Sequence, residues 1–272
     1  MAKKQRAKLT TVIFVLSVLF GIFIIVLPMI VGAINQRRSE KAIASYNNQL
    51  AQQNAEREER LFAEADEYNR KLASGEHNEE DYANLLNDGD GMMGYIEIPR
   101  INIRDPIYHT IAEEVLQKGI GHLPTTSLPI GGKTTHAALS GHRGLPSSKL
   151  FTDLDRVREG DIILISVLTR TLAYEVYEIE TVEPDEADSL EIVPGEDLLT
   201  LITCTPYAVN THRLLVHARR TEYKEEMANI EKEFSISESD RILLIALAVV
   251  ALILALDIIV ILRRRKREQV EA

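Results

Sequence analysis

The sequence predicts a mainly β fold: a closed or nearly closed β-barrel, preceded by helices and carried between two membrane-spanning helices. Three observations predict it. Two long apolar runs stand near the two ends of the 272-residue chain, each with basic residues on its terminal side. A stretch rich in Ala, Glu, Gln and Arg follows the first run with no Pro or Gly to interrupt it. From Gly94 onward, short β-forming runs alternate with Pro- and Gly-bearing turns at close spacing, which is the pattern of a barrel or sandwich.

In chain order, residues 1–9 are a basic tail holding Lys3, Lys4, Arg6 and Lys8. Residues 10–34 are the first span, 25 residues without a charge, long enough to cross a bilayer with some tilt. A cleaved signal peptide competes with this reading, but the apolar stretch exceeds a usual signal core and no small-x-small site closes it. Residues 35–92 read as a helical stalk and flap. Positions 36–74 form one or two helices, with Tyr46, Leu50, Leu61, Phe62, Ala65 and Tyr68 as a loose apolar stripe. Positions 75–93 are polar and Gly-rich, a linker or flap.

Residues 93–222 are the barrel. Its expected strands include Tyr95–Ile98, Ile101–Ile103, His136–Ser140, Ile162–Val167, Thr171–Glu180, Leu198–Thr205 and Arg213–Ala218, with short helices at Glu113–Lys118 and Leu150–Arg156. Residues 223–241 are a juxtamembrane linker. Residues 242–262 are the second span, 21 residues with Asp257 as the one charge. Asp257 reads as a partner of the basic tail that follows rather than an intramembrane acid. Residues 263–272 are that tail, opening with Arg263, Arg264, Arg265, Lys266 and Arg267. Positive charge stays in the cytoplasm, so both termini are expected there and the barrel outside. Arg37, Arg38 and Lys41 weaken this bias without reversing it.

Charge narrows the function classes. Residues 36–240 hold 21 Lys and Arg against 38 Asp and Glu. A surface that acidic excludes nucleic acid as the natural partner. Acids are nevertheless missing from residues 115–152 and 198–221. These two windows predict a neutral or electropositive cleft, which favours a thiolate.

The single cysteine, Cys204, cannot form an internal disulfide; in an exported protein it is buried and inert or it is a reactive thiol. Leu198–Ile202 is β-forming and Pro206 stops the strand, so Cys204 stands at a strand end beside a loop. Arg213 opens the next strand nine residues on. Paired strands bring the two to one end of the sheet, where a guanidinium can hold a thiolate or an oxyanion. His142, in ALSGHRGLP, follows a strand in a Gly-flanked turn that leaves its ring accessible, and its ordinary pKa suits protonation of a leaving amine. His136 shares its parity and reads as a core or supporting group. His212 is expected to face away from Arg213, and His217 to lie deeper. Asn210 is a weaker candidate for orienting the His142 ring. No Cys/His cluster has metal-ligand spacing.

These residues resemble a known family. TLITC at 200–204 with TPYAVNTHRLLV at 205–216, and LSGHRGLPSSKLFTDL at 139–154, are similar to the cysteine, arginine and histidine segments of sortases. MGYIEIPRINI at 93–103 and GIGHLPTTSLPIGG at 119–132 are similar to the opening of the sortase barrel. The details are most like class C, the pilin-polymerising sortases. The resemblance implies an eight-stranded barrel and cleavage of an LPXTG-like signal between Thr and Gly. It implies Cys204 as nucleophile, His142 as general acid then base, and Arg213 as holder of substrate or oxyanion. The implied partners are pilin subunits or surface proteins with such signals, the membrane, and a pilin lysine or a cell-wall precursor as acceptor amine. No metal or organic cofactor is implied. Many class C members carry a lid anchored by an Asp-Pro-aromatic triplet. Residues 72–93 lack one and hold Asp88-Gly89-Asp90-Gly91, so a more open site is expected. A hydrolytic cysteine peptidase on the same residues and a non-catalytic membrane-tethered binding module with an inert Cys204 are the competing classes.

Overall fold

The structure, a computed structural model, describes residues 2–76, 82–87, 91–145, 148–184 and 190–229, with 245, 247–250 and 253. It divides into two units, one taking residues 1–31 and 235–272, the other Gly32–Phe234.

Helix α1 runs unbroken over Ala2–Gln52. The boundary expected at residue 34 is therefore no break in the chain's helix. From Ile13 to Gln52 it is long and apolar enough to cross a bilayer, and its most apolar window has no buried residue. It is the one such helix among the described residues. The second expected span, 242–262, lies outside the described residues except for helical positions at 245, 247–250 and 253, and Asp257 lies outside them altogether.

Helix α2, Ala55–Ser74, begins where Asn54 caps it, its side chain accepting from Arg57 N at 2.9 Å. It ends at Gly75, whose φ of +79° allows the N–H groups of Gly75 and Glu76 to return to Leu72 O and Lys71 O, a Gly-terminated helix end. Leu61, Phe62, Ala65, Tyr68 and Leu72 recur at helical spacing and pack on the barrel core, as an amphipathic face must. The stretch read as a stalk is thus laid against the barrel. Tyr46 of α1 donates to Met93 O at 2.9 Å and accepts from Leu168 N at 2.8 Å. The Asn69 amide pairs with both the N–H and the C=O of Leu128. Ser39 donates to the buried Asp105, whose carboxyl burial pushes above its ordinary pKa.

Eight strands close the barrel: β1 Met92–Ile98, β2 Ile103–His109, β3 Ile120–His122, β4 Thr135–Ser140, β5 Ile162–Val167, β6 Arg170–Val182, β7 Asp197–Thr205 and β8 His212–Thr221. They neighbour one another in the order β1-β2-β3-β4-β7-β8-β6-β5. The pairs β2–β3 and β4–β7 are parallel and the others antiparallel. A four-residue helix, α3, spans Glu113–Leu116, and a 3-10 segment covers Leu150–Arg156. Two expectations shift. The run Ile101–Ile103 is split: Ile101 ends a 3-10 turn over Pro99–Ile101, Asn102 caps it, and the strand begins at Ile103. The three-residue β3 was not expected, because Gly119 and Gly121 dilute its β signal.

Period-two alternation separates the barrel's faces. Ala137 and Leu139 of β4, Leu199 and Leu201 of β7, and Leu214, Val216 and Ala218 of β8 join the interior core. Their alternates project outward: His136, Ala138 and Ser140; Thr200, Ile202 and Cys204; Arg213, Leu215 and His217. The candidate site sits at one end of this outward face.

Candidate active site

Register assembles the site. Antiparallel pairing matches Thr200 with His217, Ile202 with Leu215 and Cys204 with Arg213, so Cys204 and Arg213 stand directly across from each other on one face. On the other side of β7, parallel pairing matches Ala138 with Thr200 and Ser140 with Ile202. Two residues further along both chains come His142 and Cys204. The pairing continues past the strand end through Gly141 N, which donates to Ile202 O at 3.1 Å. Histidine, cysteine and arginine therefore lie on three adjacent segments at the same level.

Gly141 and Gly144 shape the histidine turn. A Cβ on Gly141 would come within 2.8 Å of both Ile120 Cδ1 and Phe151 Cδ2, so a larger residue would push the turn off the barrel. Gly144 has a φ of +77°, and its Cα side faces the Tyr207 ring, which a Cβ would approach to 2.9 Å. The turn is further fixed by Phe151 N donating to His142 O and Gly144 N donating to Thr152 Oγ1.

Cys204 is half-buried and a free thiol. Arg213, also half-buried, donates from Nη1 to His212 O at 3.2 Å, and among the described residues it pairs with no carboxylate. A guanidinium left without a carboxylate has N–H groups to offer an incoming oxyanion.

The expectation of an acid-free surround needs correction. Glu113, at the start of α3, places Oε1 3.4 Å from His142 Nε2, and Asp155 pairs with Arg143 beside the site. Both acids lie just outside the two acid-free windows, so spacing along the chain hid what folding brings together. Glu113 is held below the usual carboxylate range, chiefly by the Gln117 amide and secondarily by His142. It is the ring's carboxylate partner, the place considered for Asn210; Asn210 instead closes the turn after β7, its N–H donating to Pro206 O at 3.0 Å.

The other histidines take supporting places. His136 Nδ1 meets Glu191 O at 2.9 Å and its Nε2 meets Thr200 Oγ1 at 2.7 Å. Thr200 Oγ1 meets His217 Nδ1 at 2.8 Å, and His217 Nε2 meets Glu180 Oε1 at 3.1 Å. This buried run ties the β6–β7 connection to the outer face; burial lowers the His136 pKa. His212 pairs with Glu183 on the opposite side from Arg213. His77 and the Asp88–Asp90 part of the expected flap lie outside the described residues.

The chain is similar to known proteins. Residues 96–221 match the sortase domain model. The chain is 46% identical to the crystal structure of sortase C1 from Streptococcus agalactiae, covering 68% of this chain and 100% of that one at a TM-score of 0.65. It is 42% identical to Clostridium perfringens sortase C, solved with the C-terminal cell wall sorting motif, covering 67% and 99% at a TM-score of 0.64. It is also 31% identical to sortase A of Streptococcus agalactiae serotype III over 151 residues, which is 53% of this chain and 60% of that relative's length.

Proposed function

The chain belongs to the sortase family of cysteine transpeptidases and is most like its class C members, and we propose that it joins pilin subunits through LPXTG-like sorting signals. The observation that carries this reading is the register that sets Cys204 opposite Arg213 and level with His142.

The proposed cycle uses three side chains. Cys204 Sγ, as thiolate, attacks the carbonyl carbon of the signal's Thr. Arg213 donates to the oxyanion of the tetrahedral intermediate. His142 gives its proton to the departing Gly amine, the C–N bond breaks, and an acyl-thioester remains on Cys204. A lysine amine of a second subunit then attacks the thioester, His142 takes its proton, and Cys204 leaves as thiolate. The product is an isopeptide bond. The half-buried position of Cys204 supports transfer over hydrolysis, because shielding the thioester from water lets an amine compete.

The apolar α1 supports anchoring in the membrane. On the basic flanks of both apolar runs we place the second span at 242–262, both termini in the cytoplasm and the barrel outside.

The test uses the full chain in detergent with an LPXTG-type peptide, with and without a lysine-bearing pilin segment. The reading expects peptide cleavage in both cases and an amide-linked product when the amine is present. Hydrolysis that dominates under saturating amine would make it a peptidase; transfer only to a cell-wall precursor amine would make it an anchoring enzyme.

A further inference from the structure

His142 and Cys204 are each flanked by residues that bond to each other. On one side, Thr203 Oγ1 donates to Gly141 O at 2.7 Å. On the other, Arg143 Nη1 donates to Thr205 Oγ1 at 2.9 Å. The two ties thus join residues 141 to 203 and 143 to 205, and the pair between them, 142 and 204, is bracketed. Thr203 and Thr205 alternate with Cys204 along β7, so their side chains leave the face that Cys204 occupies.

The second tie is chemically unusual. The Arg143 side chain is 3% exposed, and a guanidinium is costly to remove from water. Its Nη2 bonds Asp155 Oδ2 in the 3-10 segment, and its Nε is buried with no partner among the described residues. Packing alone would be served by an apolar side chain of similar volume. A fork-shaped cation fixed at two different atoms, one of them next to the nucleophile, holds geometry instead. The charge is already balanced by Asp155, so the tie acts on position rather than on the field at the thiol.

We propose that Arg143 and Thr205 are positioning residues that set the separation and relative orientation of His142 and Cys204. The proposal rests on the reading of those two as the reacting pair. It places no contact between Arg143 and substrate.

The test compares the full chain with Thr205→Val, Thr205→Ser, Arg143→Lys and the Arg143→Lys/Thr205→Val double variant. Two readouts are taken: acylation by an LPXTG-type peptide, resolved into kcat and KM, and the rate of Cys204 alkylation by iodoacetamide against pH. Thr205→Val keeps shape and removes only the acceptor. It is expected to lower kcat about ten-fold, with KM within about two-fold, because small misplacements at reacting atoms are costly while distant binding contacts are untouched. Arg143→Lys is expected to match it, since the ammonium lacks the fork. The double variant is expected to be no slower than the worse single by more than about two-fold, the mark of residues acting through one bond. Thr205→Ser is expected to recover parent kcat, and Thr205→Val to shift the pH profile of alkylation.

Full kcat in Thr205→Val, multiplicative losses in the double, Thr205→Ser as slow as Thr205→Val, or an unchanged alkylation profile would overturn the proposal. So would unfolding of Thr205→Val, which would make the tie a stability element. If the parent forms no acyl-enzyme while the alkylation profile still shifts in Thr205→Val, the transpeptidase reading falls and the bracket stands.

Discussion

His122 and His142 stand near the ends of neighbouring strands, and the surroundings make them opposite kinds of residue. His122 has no exposed surface. Its Nε2 donates to Ser127 O at 2.8 Å and its Nδ1 accepts from Tyr82 Oη at 2.9 Å, which uses a neutral imidazole completely. Burial pulls its pKa down to about 4. His142 sits in a glycine turn with its side chain 28% exposed and the Glu113 carboxylate 3.4 Å from its Nε2. One ring is committed to the fold and the other is left partly open to solvent. The lesson is that partner saturation, rather than residue type, separates a structural histidine from a chemical one.

The largest effect that tests this division is at the proposed nucleophile. Cys204→Ala is expected to remove all peptide transfer while circular dichroism and thermal melting stay as in the parent, since the thiol belongs to the outward face and not to the core. Transfer that survives would remove the cysteine from the account. Next, His142→Ala is expected to slow acylation about 10²- to 10⁴-fold with little loss of stability.

His122 should show the reverse, in a pH titration of stability. Its folded-state pKa lies below the unfolded value of 6.5, so its contribution is intact above that value and is withdrawn as pH falls toward about 4. Over that window the unfolded chain binds a proton that the folded chain refuses, which lowers stability by up to about 3 kcal/mol. Denaturant melts of the parent between these pH values measure it. A flat profile would mean that His122 is not held neutral.

Tyr82→Phe isolates the same cluster with a smaller change. It deletes the donor to His122 and the acceptor of Thr110 N, and a loss of about 1–2 kcal/mol is expected in urea melts, with unchanged peptide transfer per folded molecule. The smallest effect is expected at Glu113→Gln, whose carboxylate is mostly exposed. Loss of an exposed ion pair should lower acylation by no more than about five-fold. A hundred-fold loss there would place Glu113 in the chemistry beside His142.

Much of the barrel was legible along the chain because its strands are long, branched and bounded by turns: Ile162–Val167 is a strand over the same residues, and Leu198–Thr205 differs from β7 only by Asp197. The short β3 was not, since a three-residue strand that follows one glycine and has another at its centre carries no period. The packing of α2 on the barrel was hidden for another reason: the apolar stripe was visible but not what covers it. At the site, Cys204 and Arg213 were legible because one hairpin-like connection joins them and pairing follows from strand direction. Glu113, Arg143, Asp155 and Thr205 were not, because their contacts cross from one segment to another and no spacing rule links them. Arg143 stood next to His142 in the sequence, and the signal that would have marked it is its burial, which only the fold supplies.

The most direct test of the central claim is to trap the acyl-enzyme. The full chain is incubated with an LPXTG-type peptide without an amine acceptor, quenched in acid and digested for mass spectrometry. The account predicts that the peptide fragment ending in Thr is attached to Cys204 through a hydroxylamine-labile bond, and that the adduct forms at least about 10²-fold more slowly in Arg213→Ala and His142→Ala. An adduct on another residue, or cleavage of the peptide by Cys204→Ala, would contradict it.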